Sequence, residues 1–85
     1  MSKMIPSAER IQRARLLIQK AYAIPVPAPS GKYDLSYIAL VKDTLRQAID
    51  LVKFIPDTPT ATPEMKAEVQ KIYEEARQAN QELLH

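Results

Sequence analysis

The chain contains no cysteine, so disulfides, cysteine-based zinc sites and a thiol nucleophile are excluded from the start. It contains one glycine, Gly31. A single glycine cannot supply the positive-φ turns and bulges that small β-sandwiches and barrels consume, nor a glycine-rich phosphate loop. The one histidine is the last residue, His85, which removes most hydrolytic and metal chemistry. No run of residues approaches the roughly 20 apolar positions that a membrane span needs. The first ten residues, Met1 to Arg10, lack the apolar stretch of a secretory signal. The expectation is a cytoplasmic protein with no membrane association, no cofactor and no metal, and the missing cysteine fits that compartment.

What is present is an ordinary apolar content of 46%, with 26% charged residues and seven prolines. That is too apolar for a disordered tail. Eighty-five residues make about one small domain, taken as 1–85. At this size, with no disulfide or metal to help, one core is marginal unless helices pack well or chains associate.

Proline inside a helix costs about 3 kcal/mol, so the prolines mark where helices lie. Pro6 precedes the first, Pro25, Pro27 and Pro29 end it, Pro56 and Pro59 end the second, and Pro63 opens the third. Helix 1 is predicted over 8–23, with Ser7 as N-cap and a core stripe of Ile11, Ala14, Ile18 and Ala21, widened by Leu17 and Tyr22. Helix 2 is predicted over 35–55. Asp34 is its N-cap, and Tyr33 is placed to staple onto Ile38. Its first stripe is Ile38, Val41, Leu45, Ala48, Val52 and Ile55; a second, one residue behind, is Tyr37, Leu40, Thr44, Gln47, Leu51 and Phe54. A third face, Asp43, Arg46, Asp50 and Lys53, is wholly charged. Helix 3 is predicted over 63–84, with Thr62 as N-cap, Pro63 at the first helical position, and Met65, Val69, Ile72, Ala76, Ala79 and Leu83 facing inward.

The fold class is therefore all-α: an antiparallel, up-down-up three-helix bundle with proline-rich connections. Helices 2 and 3 are expected to form the main hairpin, with helix 1 packing across it. Pro25-x-Pro27-x-Pro29 lacks the P-x-x-P step that proline-reading grooves recognise, so the first connection reads as a stiff spacer.

The net charge is +2, but residues 1–32 carry a local +5 while 33–57 and 58–85 carry −1 and −2. Arg10, Arg13, Arg15 and Lys20 are thus candidate contacts to phosphate or nucleic acid. Arg13 and Arg15 point in different directions on a helix, no stacking aromatics are interleaved with the charges, and no helix-turn-helix is present. A solvated face complementing acidic helix 3 is the preferred reading. For catalysis, Glu74 and Glu75 have opposite charges within pairing distance, and Glu64 and Glu68 lack the Glu-x-x-His of di-iron bundles. No catalytic residue is assigned and the protein is expected not to be an enzyme.

The second stripe of helix 2 decides the functional reading. A helix between two neighbours needs two apolar faces, yet the predicted helix 1 is short and alanine-rich on its inner side. Some of Tyr37, Leu40, Leu51 and Phe54 should stay exposed in a monomer, and a contiguous apolar patch marks an association surface. The expected function is a small non-enzymatic interaction module, a homodimer or a subunit or adaptor in a protein assembly. A nucleic-acid-binding accessory protein using helix 1 is the alternative. Charging the stripe, as in Leu51→Glu, is expected to dissociate the assembly and leave helicity intact. Gly31-x-Tyr33 ahead of the second helix resembles the step that opens the second helix of small three-helix MIT modules, but no ligand-groove motif matches. The Arg-x-x-x-x-His motif of HEPN ribonucleases is absent, and no family is assigned.

Overall fold

The ends of the helices follow from a few residues each. The structure is a computed structural model and describes residues 6–29 and 31–84. Three α-helices, α1 (Ser7–Ala23), α2 (Leu35–Val52) and α3 (Pro63–Leu84), pack against each other, with short 3-10 turns at Gly31–Tyr33 and Ile55–Asp57 on either side of α2. No strand occurs among the described residues. No helix among them is long and apolar enough to cross a membrane.

α1 begins one residue earlier than predicted. Pro6, in extended backbone, is its N-cap, and its carbonyl accepts from the Arg10 N–H at 3.0 Å. Ser7 is therefore the first helical residue and not the cap, and no side chain caps this end. Pro6 has no N–H to lose there. Asp34 caps α2: its Oδ1 accepts from the Tyr37 N–H at 2.9 Å. Thr62 caps α3 in the same way, its Oγ1 accepting from the Met65 N–H at 3.1 Å. The single glycine sits where it is needed. Gly31 has φ +62, a left-handed conformation that costs an L-residue about 1–2 kcal/mol.

α2 stops at Val52, three residues before the predicted end. The cause is Pro56. Its ring would clash with the carbonyl four residues back, that of Val52, and it has no N–H to continue the ladder. The chain instead takes a 3-10 turn through Ile55–Asp57, which keeps Ile55 buried at 3% exposure. α1 and α2 consequently have 17 and 18 residues, about 26 and 27 Å. The expected undersized first helix is thereby corrected.

The core is drawn from one stripe on each helix. α1 gives Ile11, Ala14, Ile18 and Ala21; α2 gives Val41, Leu45, Ala48 and Val52, followed by Ile55; α3 gives Val69, Ile72, Ala76 and Ala79. Ile38, Met65 and Leu83 are only half-buried, whereas Tyr37 and Thr44 of the second α2 stripe are buried. The Thr44 hydroxyl is satisfied by donating to the Leu40 carbonyl at 2.7 Å. Tyr33, expected to staple onto Ile38, is instead 77% exposed. Five of the fourteen core hydrophobics are alanine, and small side chains let helix axes approach closely. The most extensive interface is between α1 and α2, so that pair, and not α2 with α3, is the main one.

Three contacts between distant residues tie the helices together. Arg10, early in α1, donates from Nη1 to the Leu51 carbonyl, at the end of α2, at 3.2 Å. Arg15 pairs with Glu68 of α3. Tyr22, at the end of α1, donates its hydroxyl to Glu82 Oε2, at the end of α3, at 2.6 Å.

The last contact has a pH signature. The hydrogen bond to Glu82, then desolvation and the Glu82 charge, push the Tyr22 hydroxyl up to about 12 from its ordinary 10.0. The same bond, with one from Gln78, holds the Glu82 carboxyl below its ordinary range. A raised tyrosine contributes stability below its unfolded value and loses it as pH rises through about 12. A depressed carboxylate contributes above its unfolded value and loses it as pH falls through the folded one. The tyrosinate absorbance of the wild-type chain, minus that of Tyr22→Phe, is expected to titrate near pH 12, and Glu82→Gln to move that step back toward 10. A difference step already centred at 10 in the wild-type chain would remove the clasp.

Candidate protein-interaction site

α1 and α2 lie side by side along the molecule's most extensive interface, yet their shared outer edge is incompletely closed. Its floor is apolar. Leu16 is 56% exposed, and Leu17 and Leu51 are half-buried beside the core. Two shallow depressions share Leu17 and Leu51. One, of about 350 Å³, is lined by Arg13, Leu16, Leu17 and Leu51; the other, of about 310 Å³, is lined by Arg10, Leu17, Gln47, Asp50 and Leu51. These volumes stand at the small end of the range for ligand pockets, and they suit inserted side chains better than an enclosed small molecule.

The rim is charged, and its sign depends on the helix. α1 contributes Arg10 and Arg13, and α2 contributes Asp50, with Gln47 between. Each of these side chains is oriented by a partner in the same chain. Arg10 bonds to a carbonyl in the last turn of α2, where carbonyls lack helical partners and a cation is favourable. Arg13 pairs with Glu9 at 3.2 Å and Asp50 with Lys53 at 3.1 Å. Gln47 donates Nε2 to Asp43 Oδ2 at 2.8 Å, and Asp43 also accepts from Arg46 at 2.6 Å. These two bonds, that from Arg46 first, lower the Asp43 carboxyl below its ordinary range.

The residues singled out from the second α2 stripe divide. Tyr37, at 4% exposure, belongs to the core and is not available to a partner. Leu51 forms part of the groove floor. Leu40 and Phe54 are exposed at 51% and 66%, with the Lys53 ammonium 5.1 Å from the Phe54 ring centre. Leu16 was not among the predicted site residues. It stands between Arg13 and Lys20 on the helix surface and so looks like part of a charged face. The signal was the adjacent pair Leu16 and Leu17, which makes the apolar arc of α1 wider than one stripe requires.

The basic candidates divide as well. Arg10 and Arg13 line the groove, Arg15 is turned to Glu68 of α3, and Lys20 is exposed in the last turn of α1. They form no single basic strip. Among the described residues, no group of three or more His, Cys, Asp and Glu side chains is gathered as a metal site would require. Compared with family models, with curated proteins and with solved structures, the chain has no match.

Proposed function

We propose that this protein is a small non-enzymatic interaction module of the cytoplasm, which self-associates or serves as a subunit of a larger protein assembly. In this reading its helices run up-down-up and its proline-rich connections are stiff spacers. The direction of the helices is supported by the three long-range contacts. Arg10 to Leu51 joins the start of α1 to the end of α2, while Arg15 to Glu68 and Tyr22 to Glu82 advance together along α1 and α3.

One observation carries the functional reading: the leucine floor between α1 and α2 remains open although the core beneath it is closed. A contiguous apolar strip with a polar rim is the ordinary anatomy of an interaction surface. The same rim weighs against the nucleic-acid alternative. Asp50 stands in the groove with Arg10 and Arg13, and a phosphate backbone laid there would meet a carboxylate.

Leu51 packs against the core, so Leu51→Glu tests folding as well as association. Leu16 is the cleaner position. A photo-crosslinking residue placed at 16 is expected to give protein adducts in cells expressing the chain, and Leu16→Glu is expected to abolish the adducts given by a crosslinker at the exposed rim position 47. The reading fails if position 16 yields no protein adduct while exposed positions on α3 do.

A further inference from the structure

We infer that the occupant of the α1–α2 groove is a second copy of this chain, related to the first by a two-fold axis, with Arg13 of each copy facing the partner's Asp50. The inference rests on the interaction-module reading and names its partner.

The argument is one of charge. A two-fold interface brings a surface onto itself, so residue i of one copy meets residue j of the other, and j meets i. A groove rimmed by one sign of charge would repel its own copy. This rim carries two arginines along α1, Arg10 and Arg13, and one carboxylate on α2, Asp50; Arg13 and Asp50 each also hold an exposed pair one helical turn away, with Glu9 and Lys53, which a partner's charge would share. Crossing the two hairpins, α1 over the partner's α2, places the arginine edge of each copy over the Asp50 carboxylate of the other. The apolar residues, Leu16, Leu17 and Leu51, then meet their counterparts in the centre. The two helices also match in length, at 17 and 18 residues, so neither edge overhangs when the pair is turned upon itself.

Other occupants suit the groove less well. A wholly acidic partner helix would oppose Asp50, and a wholly basic one would oppose Arg10 and Arg13. A chain with both signs in this order is the complement, and this chain has it.

The test is a charge exchange on the full chain, followed by light scattering on a sizing column over a range of concentrations. The wild-type chain is expected to reach twice its 9.6 kDa mass. Arg13→Asp alone and Asp50→Arg alone each put like charges at two symmetry-related places. Each is expected to weaken the dimer about tenfold or more, and the double variant to recover most of the loss. Arg13 and Asp50 are exposed, and their pairs within the chain are one helical turn long, so helicity should be unchanged in all variants.

A monomer at every concentration overturns the inference. So does a dimer indifferent to both reversals, or a double variant as weak as the singles. If the chain is monomeric while position 16 still crosslinks to a protein of another mass, self-pairing is wrong and the interaction module stands. If a monomer binds a DNA duplex with steep salt dependence, lost in Arg13→Asp and strengthened in Asp50→Arg, the groove belongs to nucleic acid and both readings fall.

Discussion

Replacing Ile72 by alanine is expected to remove about 2–5 kcal/mol of unfolding free energy, the range for truncating a buried isoleucine. Ile72 is the largest of the side chains with no exposed surface, and it lies in the middle of the α3 stripe between Val69 and Ala76. Two effects add. The apolar contacts of three carbons are lost, and the space they leave is not refilled, because the methyl groups of the core alanines cannot swing into it. Domains are stable by roughly 0.05–0.15 kcal/mol per residue, so a chain of this length commands about 4–13 kcal/mol in all. The substitution therefore takes a third or more of it at the midpoint of both ranges. Urea denaturation should show the midpoint falling with an unchanged slope, and the thermal midpoint should drop by about 4–8 °C per kcal/mol. A loss below about 0.5 kcal/mol, the size of a surface change, would mean that α3 does not bury this face.

The converse substitution, Ala14→Leu, is expected to cost about 1–3 kcal/mol by overfilling the same core. Ala14 has no exposed surface and sits between Ile11 and Ile18 on the face that α1 turns inward. Leucine is nearly as good a helix former as alanine, so the helix itself does not object. What objects is the space: a close approach of α1 to its neighbours leaves no room for three more carbons, and the helix must shift outward. Ala67→Leu, on the exposed side of α3, is the control and should change stability by less than about 0.5 kcal/mol. Equal losses at both positions would assign the cost to the helix and not to packing.

Periodicity and proline made much of the fold readable. The inward stripes of α1 and α3 follow from apolar residues three and four apart, and the structure buries Ile11, Ala14, Ile18, Ala21, Val69, Ile72, Ala76 and Ala79. The caps at Asp34 and Thr62 are local chemistry, three residues long, and they too were visible. The end of α2 was not. Its stripe keeps helical spacing through Ile55, but spacing is blind to the backbone, and the proline at 56 acts on the carbonyl at 52. Ser7 failed as a cap for a related reason: Pro6 had already supplied the first carbonyl of the ladder.

The groove was only half legible because it belongs to two helices at once. An amphipathic pattern says which faces of a helix are apolar; it does not say which neighbour covers them. Tyr37 and Leu40 share a stripe, yet one is in the core and the other is exposed. Leu16 was concealed by Arg13 and Lys20, and Asp50 read as part of a solvated face until α1 brought Arg10 and Arg13 to the same rim.

The seven prolines have a further consequence, and it concerns the chain before it folds. All seven lie at helix boundaries, in connections or in the turn after α2, where the fixed φ of the ring is tolerated. Each one at a compatible position favours folding by about 0.4–1 kcal/mol, because the unfolded ensemble has fewer conformations to give up. A chain with one glycine and seven prolines thus starts from an unusually restricted coil. The constraint that a small extracellular protein obtains by cross-linking is here distributed along the backbone, at the joints. Part of what keeps this alanine-rich bundle folded is accordingly absent from every contact in it, and resides in the freedom that its unfolded chain never had.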